Sequence, residues 1–106
     1  MISGLSTHVL DTSSGRPAAG VPVTLFLGDK ELGSATTNAD GRIASLLPTG
    51  VDLQAAAYRL VFDVGAYFPH GFYPKITIDF LVRDAGVHYH VPVLMSPFGY
   101  STYRGS

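Results

Sequence analysis

A two-residue hydrophobic alternation constrains the fold of this chain more than any other feature. Ile76, Ile78, Phe80 and Val82 alternate with Lys75, Thr77, Asp79 and Leu81, and successive side chains of a strand point to opposite faces. The same rhythm sets Val21, Val23, Leu25 and Leu27 against Pro22, Thr24, Phe26 and Gly28, and Tyr58, Leu60 and Phe62 against Arg59, Val61 and Asp63. It also sets Val87, Tyr89, Val91, Val93 and Met95 against His88, His90, Pro92 and Leu94. A first strand is expected from Leu5 to Asp11, a returning one from Glu31 to Thr37, and a short extended piece from Arg42 to Leu47. Between them lie a loop from Thr12 to Pro17 and turn signals at Gly28-Asp29, Asn38-Ala39-Asp40-Gly41, Pro48-Thr49-Gly50 and Asp84-Ala85-Gly86. No longer segment repeats every 3.6 residues, so one short helix at most is expected, as a turn within Gly65 to His70. Roughly seven or eight short strands at this spacing predict an all-β fold, a two-sheet antiparallel β-sandwich. Residues 1–106 form a single domain in this reading.

Composition narrows the function classes. The net charge is -1 and the cations form no run, which argues against a nucleic-acid partner. Charged residues are only 14% of the chain, against about 25% usually, so part of the surface is expected to be covered in an oligomer. There is no cysteine, which excludes disulfides, thiolate catalysis and Cys-based zinc sites. No apolar run reaches the length of a membrane span. The stretch Met1 to Leu5 lacks the charged head and apolar run of a secretory leader, so a cytoplasmic location is expected, or a periplasmic one if a leader has been removed.

Four regions carry side chains suited to chemistry. His90 projects to the outer face of its strand beside His88, either as a solvated histidine or as a neutral imidazole acting as a general base. His8 lies in the first strand, where Ser6, His8 and Leu10 share one side and Leu5, Thr7 and Val9 the other; neither side is cleanly polar, so pattern does not orient it. Arg42 follows the Asp40-Gly41 turn, either as an ordinary surface cation or as a clamp on an anion or carbonyl. Arg104 has the same two readings, within the aromatic and cationic tail Tyr100-Ser-Thr-Tyr103-Arg104-Gly105-Ser106. His88-x-His90 is a weak metal signal without a carboxylate neighbour, so no metal is expected. There is no Gly-x-Ser-x-Gly elbow, phosphate-binding glycine loop or dinucleotide fingerprint.

Two stretches carry a family resemblance: Leu5-Ser-Thr-His8-Val-Leu-Asp11-Thr-Ser-Ser-Gly15-Arg-Pro17-Ala, and His88-Tyr-His90-Val-Pro92-Val-Leu94-Met-Ser96-Pro-Phe-Gly-Tyr100-Ser-Thr-Tyr103-Arg104-Gly105-Ser106. With Asp40-Gly41-Arg42 between them, the chain resembles the 5-hydroxyisourate hydrolases, the transthyretin-related enzymes of urate breakdown. The resemblance implies a transthyretin-like sandwich, a homotetramer built as a dimer of dimers, and cofactor-free hydrolytic ring opening of a small-molecule substrate. It implies His8, Arg42, His90 and Ser106 as catalytic residues. Substrate contacts are implied for His8, Arg42, Tyr103, Arg104, Gly105 and Ser106. His88 matches no catalytic position. In the family the tail folds into the pocket, which would bring the Ser106 hydroxyl and the terminal carboxylate into the site. The alternatives are a non-catalytic small-ligand binder of the transthyretin type and a structural β-sandwich module. His8, His90 and the last four residues favour the enzyme.

Overall fold

The computed structural model describes residues 4–106. Met1 to Ser3, part of the stretch read for a leader, lie outside the described residues. The strands are β1 (Gly4–Asp11), β2 (Arg16–Pro17), β3 (Pro22–Leu27), β4 (Lys30–Thr36), β5 (Arg42–Ile43), β6 (Ala56–Phe62), β7 (Ile76–Val82), β8 (His88–Ser96) and β9 (Gly99–Thr102). They form two sheets. One has the order β2-β1-β8-β9, with β5 also pairing β1, and the other has the order β4-β3-β6-β7. The alternation expected from sequence becomes the inter-sheet core: Leu5, Val9, Val23, Leu25, Leu60, Phe62, Val93 and Met95 are all buried between the layers.

The structure departs from the sequence expectation at four points. β1 and β8 run parallel, in register from Gly4↔His88 to Asp11↔Met95, so the first sheet is mixed rather than wholly antiparallel. Such a pairing needs a long crossover, here the entire second sheet. The helix content, by contrast, is as expected: a single 3-10 turn, Val64–Ala66, starting one residue before Gly65. β9 was not anticipated: its burial pattern shows one half-buried and three exposed residues, and such a segment carries little hydrophobic alternation. The extended piece after Gly41 pairs only over Arg42–Ile43, and Arg16–Pro17 pairs with β1 where a loop was expected.

Asp11 ends β1 and fastens what surrounds it. Its Oδ1 accepts from the Ser13 amide at 2.9 Å and the Tyr67 hydroxyl donates to Oδ2 at 3.0 Å, tying the 3-10 turn to the first sheet. Burial pushes the Asp11 carboxyl up, but hydrogen bonds from Ser13, Tyr67 and Ser14 outweigh it and hold the group below the usual carboxylate range.

Candidate active site

The mixed sheet places the conspicuous polar residues on its outer face. In β1 the residues Leu5, Thr7 and Val9 are buried, while Ser6, His8 and Leu10 are half-buried, which settles the orientation of His8 that pattern left open. The parallel register sets Ser6 beside His90 and His8 beside Pro92. On the other edge of β1, β5 sets Arg42 beside His8.

Arg42 reaches that edge through a tight turn. The Asn38 side-chain oxygen accepts from the amides of Asp40 at 2.9 Å and Arg42 at 3.0 Å, as expected for an Asx turn. Gly41 then passes against β1 at a φ of 72°. A Cβ there would lie 2.4 Å from the Val9 carbonyl oxygen, so only glycine allows the approach.

The tail comes to the same place from the far side. The Gly105 amide donates to the His90 carbonyl at 2.9 Å, and the two residues form an isolated bridge. Thr102 donates its hydroxyl to the Pro92 carbonyl at 2.8 Å. Pro92 is buried within the single chain, and the tail lies against it. A Cβ on Gly105 would fall 2.5 Å from His90 Cδ2 and 3.2 Å from Pro92 Cγ, so the imidazole and the glycine are packed face to face.

These elements enclose an open depression of about 430 Å³, lined by Ser6, Asn38, Arg42, His88, His90 and Ser106 among others. His8 stands on the same sheet face beside this lining. Arg104 does not join it. The Arg104 guanidinium carbon lies 4.8 Å from the centre of the Tyr89 ring, and Tyr89 belongs to the core-facing side of β8. Arg104 and the largely exposed Tyr103 instead border a separate groove with Phe80, Leu81 and Val91. Sequence reasoning missed Ser6, whose Oγ lies 2.8 Å from His88 Nε2 and 2.8 Å from His90 Nδ1, and it set His88 aside.

The electrostatics favour a neutral His90. Burial lowers its pKa, and its electrostatic interaction with Arg42, then His8 and His88, lowers it further. The native state therefore binds this proton less readily than the unfolded chain. The group's contribution to stability falls as pH drops from the ordinary imidazole value through the lowered one. Arg42→Gln is expected to raise the His90 pKa toward that ordinary value, read by NMR titration of the ring. An unchanged midpoint would show that the guanidinium does not act on the ring. A neutral imidazole, a guanidinium with no ion pair among the described residues and a hydroxyl around one depression are suited to activating water and holding negative charge on oxygen.

Comparison with known proteins finds full-length relatives. A Caulobacter vibrioides protein named 5-hydroxyisourate hydrolase is 45% identical over 117 residues, covering 99% of this chain and 100% of that protein. The structure of Klebsiella pneumoniae 5-hydroxyisourate hydrolase superposes with a TM-score of 0.89 at 42% identity, covering 98% of this chain and 100% of that one. Transthyretin from Sparus aurata also superposes with a TM-score of 0.89, at 26% identity, covering 98% and 97% of the two chains. Residues 5–105 match the HIUase/transthyretin family throughout, and the chain belongs to that family.

Proposed function

We propose that this protein is a hydrolase that opens the ring of 5-hydroxyisourate in urate degradation. The observation that carries this reading is the convergence of His90, Arg42 and Ser106 on one depression, in a chain similar over its full length to hydrolases of that name. Water attacks a cyclic amide carbonyl. His90 takes a proton from the water, and His8 shares the proton handling from the adjacent register. Arg42 binds the carbonyl oxygen and the negative charge that develops on it. Ser106 positions the water. Gly105 admits the His90 ring. Tyr103 and Arg104 serve substrate binding by holding the tail in place, Arg104 through its contact with Tyr89. No cofactor takes part.

The active assembly in this proposal is a homotetramer. Phe72, Leu81, Phe98 and Tyr103 stand 71%, 55%, 74% and 58% exposed in the single chain, an apolar surface that assembly would cover. Among the described residues no helix is long and apolar enough to cross a membrane.

The test is a rate comparison. 5-Hydroxyisourate is generated fresh with urate oxidase, and its ultraviolet decay is followed with and without the protein. Acceleration at catalytic protein concentration is the expected result. No acceleration by protein that sediments as a folded tetramer would overturn the reading and leave a ligand binder of the transthyretin type.

A further inference from the structure

Ser6 occupies an unusual position. The two nitrogens that face it, His88 Nε2 and His90 Nδ1, converge on its hydroxyl from 2.8 Å each. The register makes this unavoidable: Ser6 pairs with His90, and Gly4, two residues back on the same face, pairs with His88. A side-chain carbon at Gly4 would approach His88 Nδ1 to 3.2 Å, so the glycine leaves that ring room to lie along the strand. His88 is exposed and His90 is half-buried. The three groups thus form a short hydrogen-bonded line from the depression to solvent.

A hydroxyl carries one proton. When it donates to one imidazole, the other must donate to it if both hydrogen bonds are made. Ser6 therefore couples the tautomers of the two rings. In one state His90 carries its proton on Nδ1 and presents a bare Nε2, the form of a base. In the other it carries the proton on Nε2, the form of an acid.

We propose that Ser6 and His88 act as a proton relay that lets His90 change from base to acid without becoming a cation. This rests on the hydrolase reading above. As water attacks the carbonyl, an O–H bond breaks and a proton reaches His90 Nε2. The Nδ1 proton passes to Ser6 Oγ, the Ser6 proton passes to His88 Nε2, and the proton on His88 Nδ1 leaves to solvent. When the C–N bond breaks, the chain runs backward. His88 Nδ1 takes a proton from solvent, Ser6 returns one to His90 Nδ1, and the Nε2 proton goes to the leaving nitrogen. The new carboxylic acid then ionises. The sum is amide plus water giving carboxylate, an N–H bond and one released proton. The neighbours that would oppose a charged His90 are Arg42 on β5 and His8 on β1, and His88 lies two residues away on its own strand. Ser6 is a positioning and relay residue in this scheme, and so is His88.

Two measurements on the full chain test it. Side-chain nitrogen NMR at neutral pH, without substrate, is expected to find a proton on one of the two nitrogens facing Ser6 and not on the other. Ser6→Ala should break that complementarity. Like states on both nitrogens, or a pattern unchanged in Ser6→Ala, would overturn the link. In the 5-hydroxyisourate assay, Ser6→Ala and His88→Phe should each lower kcat by about 10- to 100-fold with KM nearly unchanged. Added imidazole should recover part of the loss in His88→Phe, and Ser6→Thr, which keeps the hydroxyl, should retain most activity. Wild-type kcat in Ser6→Ala, or equal losses in the alanine and threonine variants, would overturn the relay. A wild-type protein with complementary tautomers but no acceleration would overturn the hydrolase reading and with it the relay's use in catalysis, leaving the hydrogen-bonded link in place.

Discussion

Replacing His90 with asparagine should lower turnover of 5-hydroxyisourate by about two to four orders of magnitude, the usual contribution of a positioned acid–base group. The loss should appear in kcat more than in KM, because the ring acts on water and the leaving nitrogen. The fold should survive. His90 is half-buried on the outer face of β8, and the core positions that flank it, Tyr89 and Val91, are untouched. Circular dichroism and sedimentation of the variant should match the wild type. Near-normal turnover in a correctly folded variant would remove His90 from the mechanism and shift proton handling to His8.

Deleting Tyr103 to Ser106 should abolish activity with a comparable effect, about 1,000-fold or more, since it removes several positioned groups at once. It eliminates the Gly105–His90 bridge, the Arg104 contact with Tyr89 and the Ser106 hydroxyl, and it uncovers Pro92. The sandwich should remain folded, because the pairing of β9 with β8 runs from Gly99 to Thr102 and ends before the deleted residues. Gly105→Ala is the finer version. Its Cβ would stand 2.5 Å from His90 Cδ2, so either the ring or the tail must move, and activity should fall without any loss of tail length. Full activity in the truncated protein would show that the tail is no part of the pocket.

Local pattern made most of the strands legible, and local pattern is where legibility stopped. The alternations through Val23, Leu60, Ile78 and Val93 require only that one side of each strand be buried, and period two reports that directly. The Asn38 turn was legible for a similar reason, since its hydrogen bonds lie within a few residues of sequence. Ser6 was not. Its importance depends on which residue of β8 lies opposite, and a parallel register between segments more than eighty positions apart leaves no trace in either segment. Pro92 shows the same limit: alternation sets it on the outer face of its strand, and only the folded chain shows the tail lying against it. The resemblance implied a substrate contact for Arg104, yet its side chain does not line the depression. Its side chain instead turns to the Tyr89 ring, away from Ser106, although a regular strand would keep residues two apart on one side.

The parallel pairing of β1 with β8 carries a consequence for biogenesis. The Thr7 hydroxyl donates to the carbonyl of Val91, 84 positions later, and the pairing runs the length of β1. Long-range closures of this kind slow folding, because chain entropy is lost before the contacts return it. During synthesis β1 emerges first and has no β8 to pair with until most of the chain has followed. Its apolar residues Leu5 and Val9 and its open backbone edge are then available to other chains. Interrupted synthesis or proteolytic loss of the C-terminal strands should therefore yield an aggregation-prone fragment rather than a partly active one. Cellular yield should respond to chaperone supply and growth temperature more steeply than the stability of the finished protein would suggest.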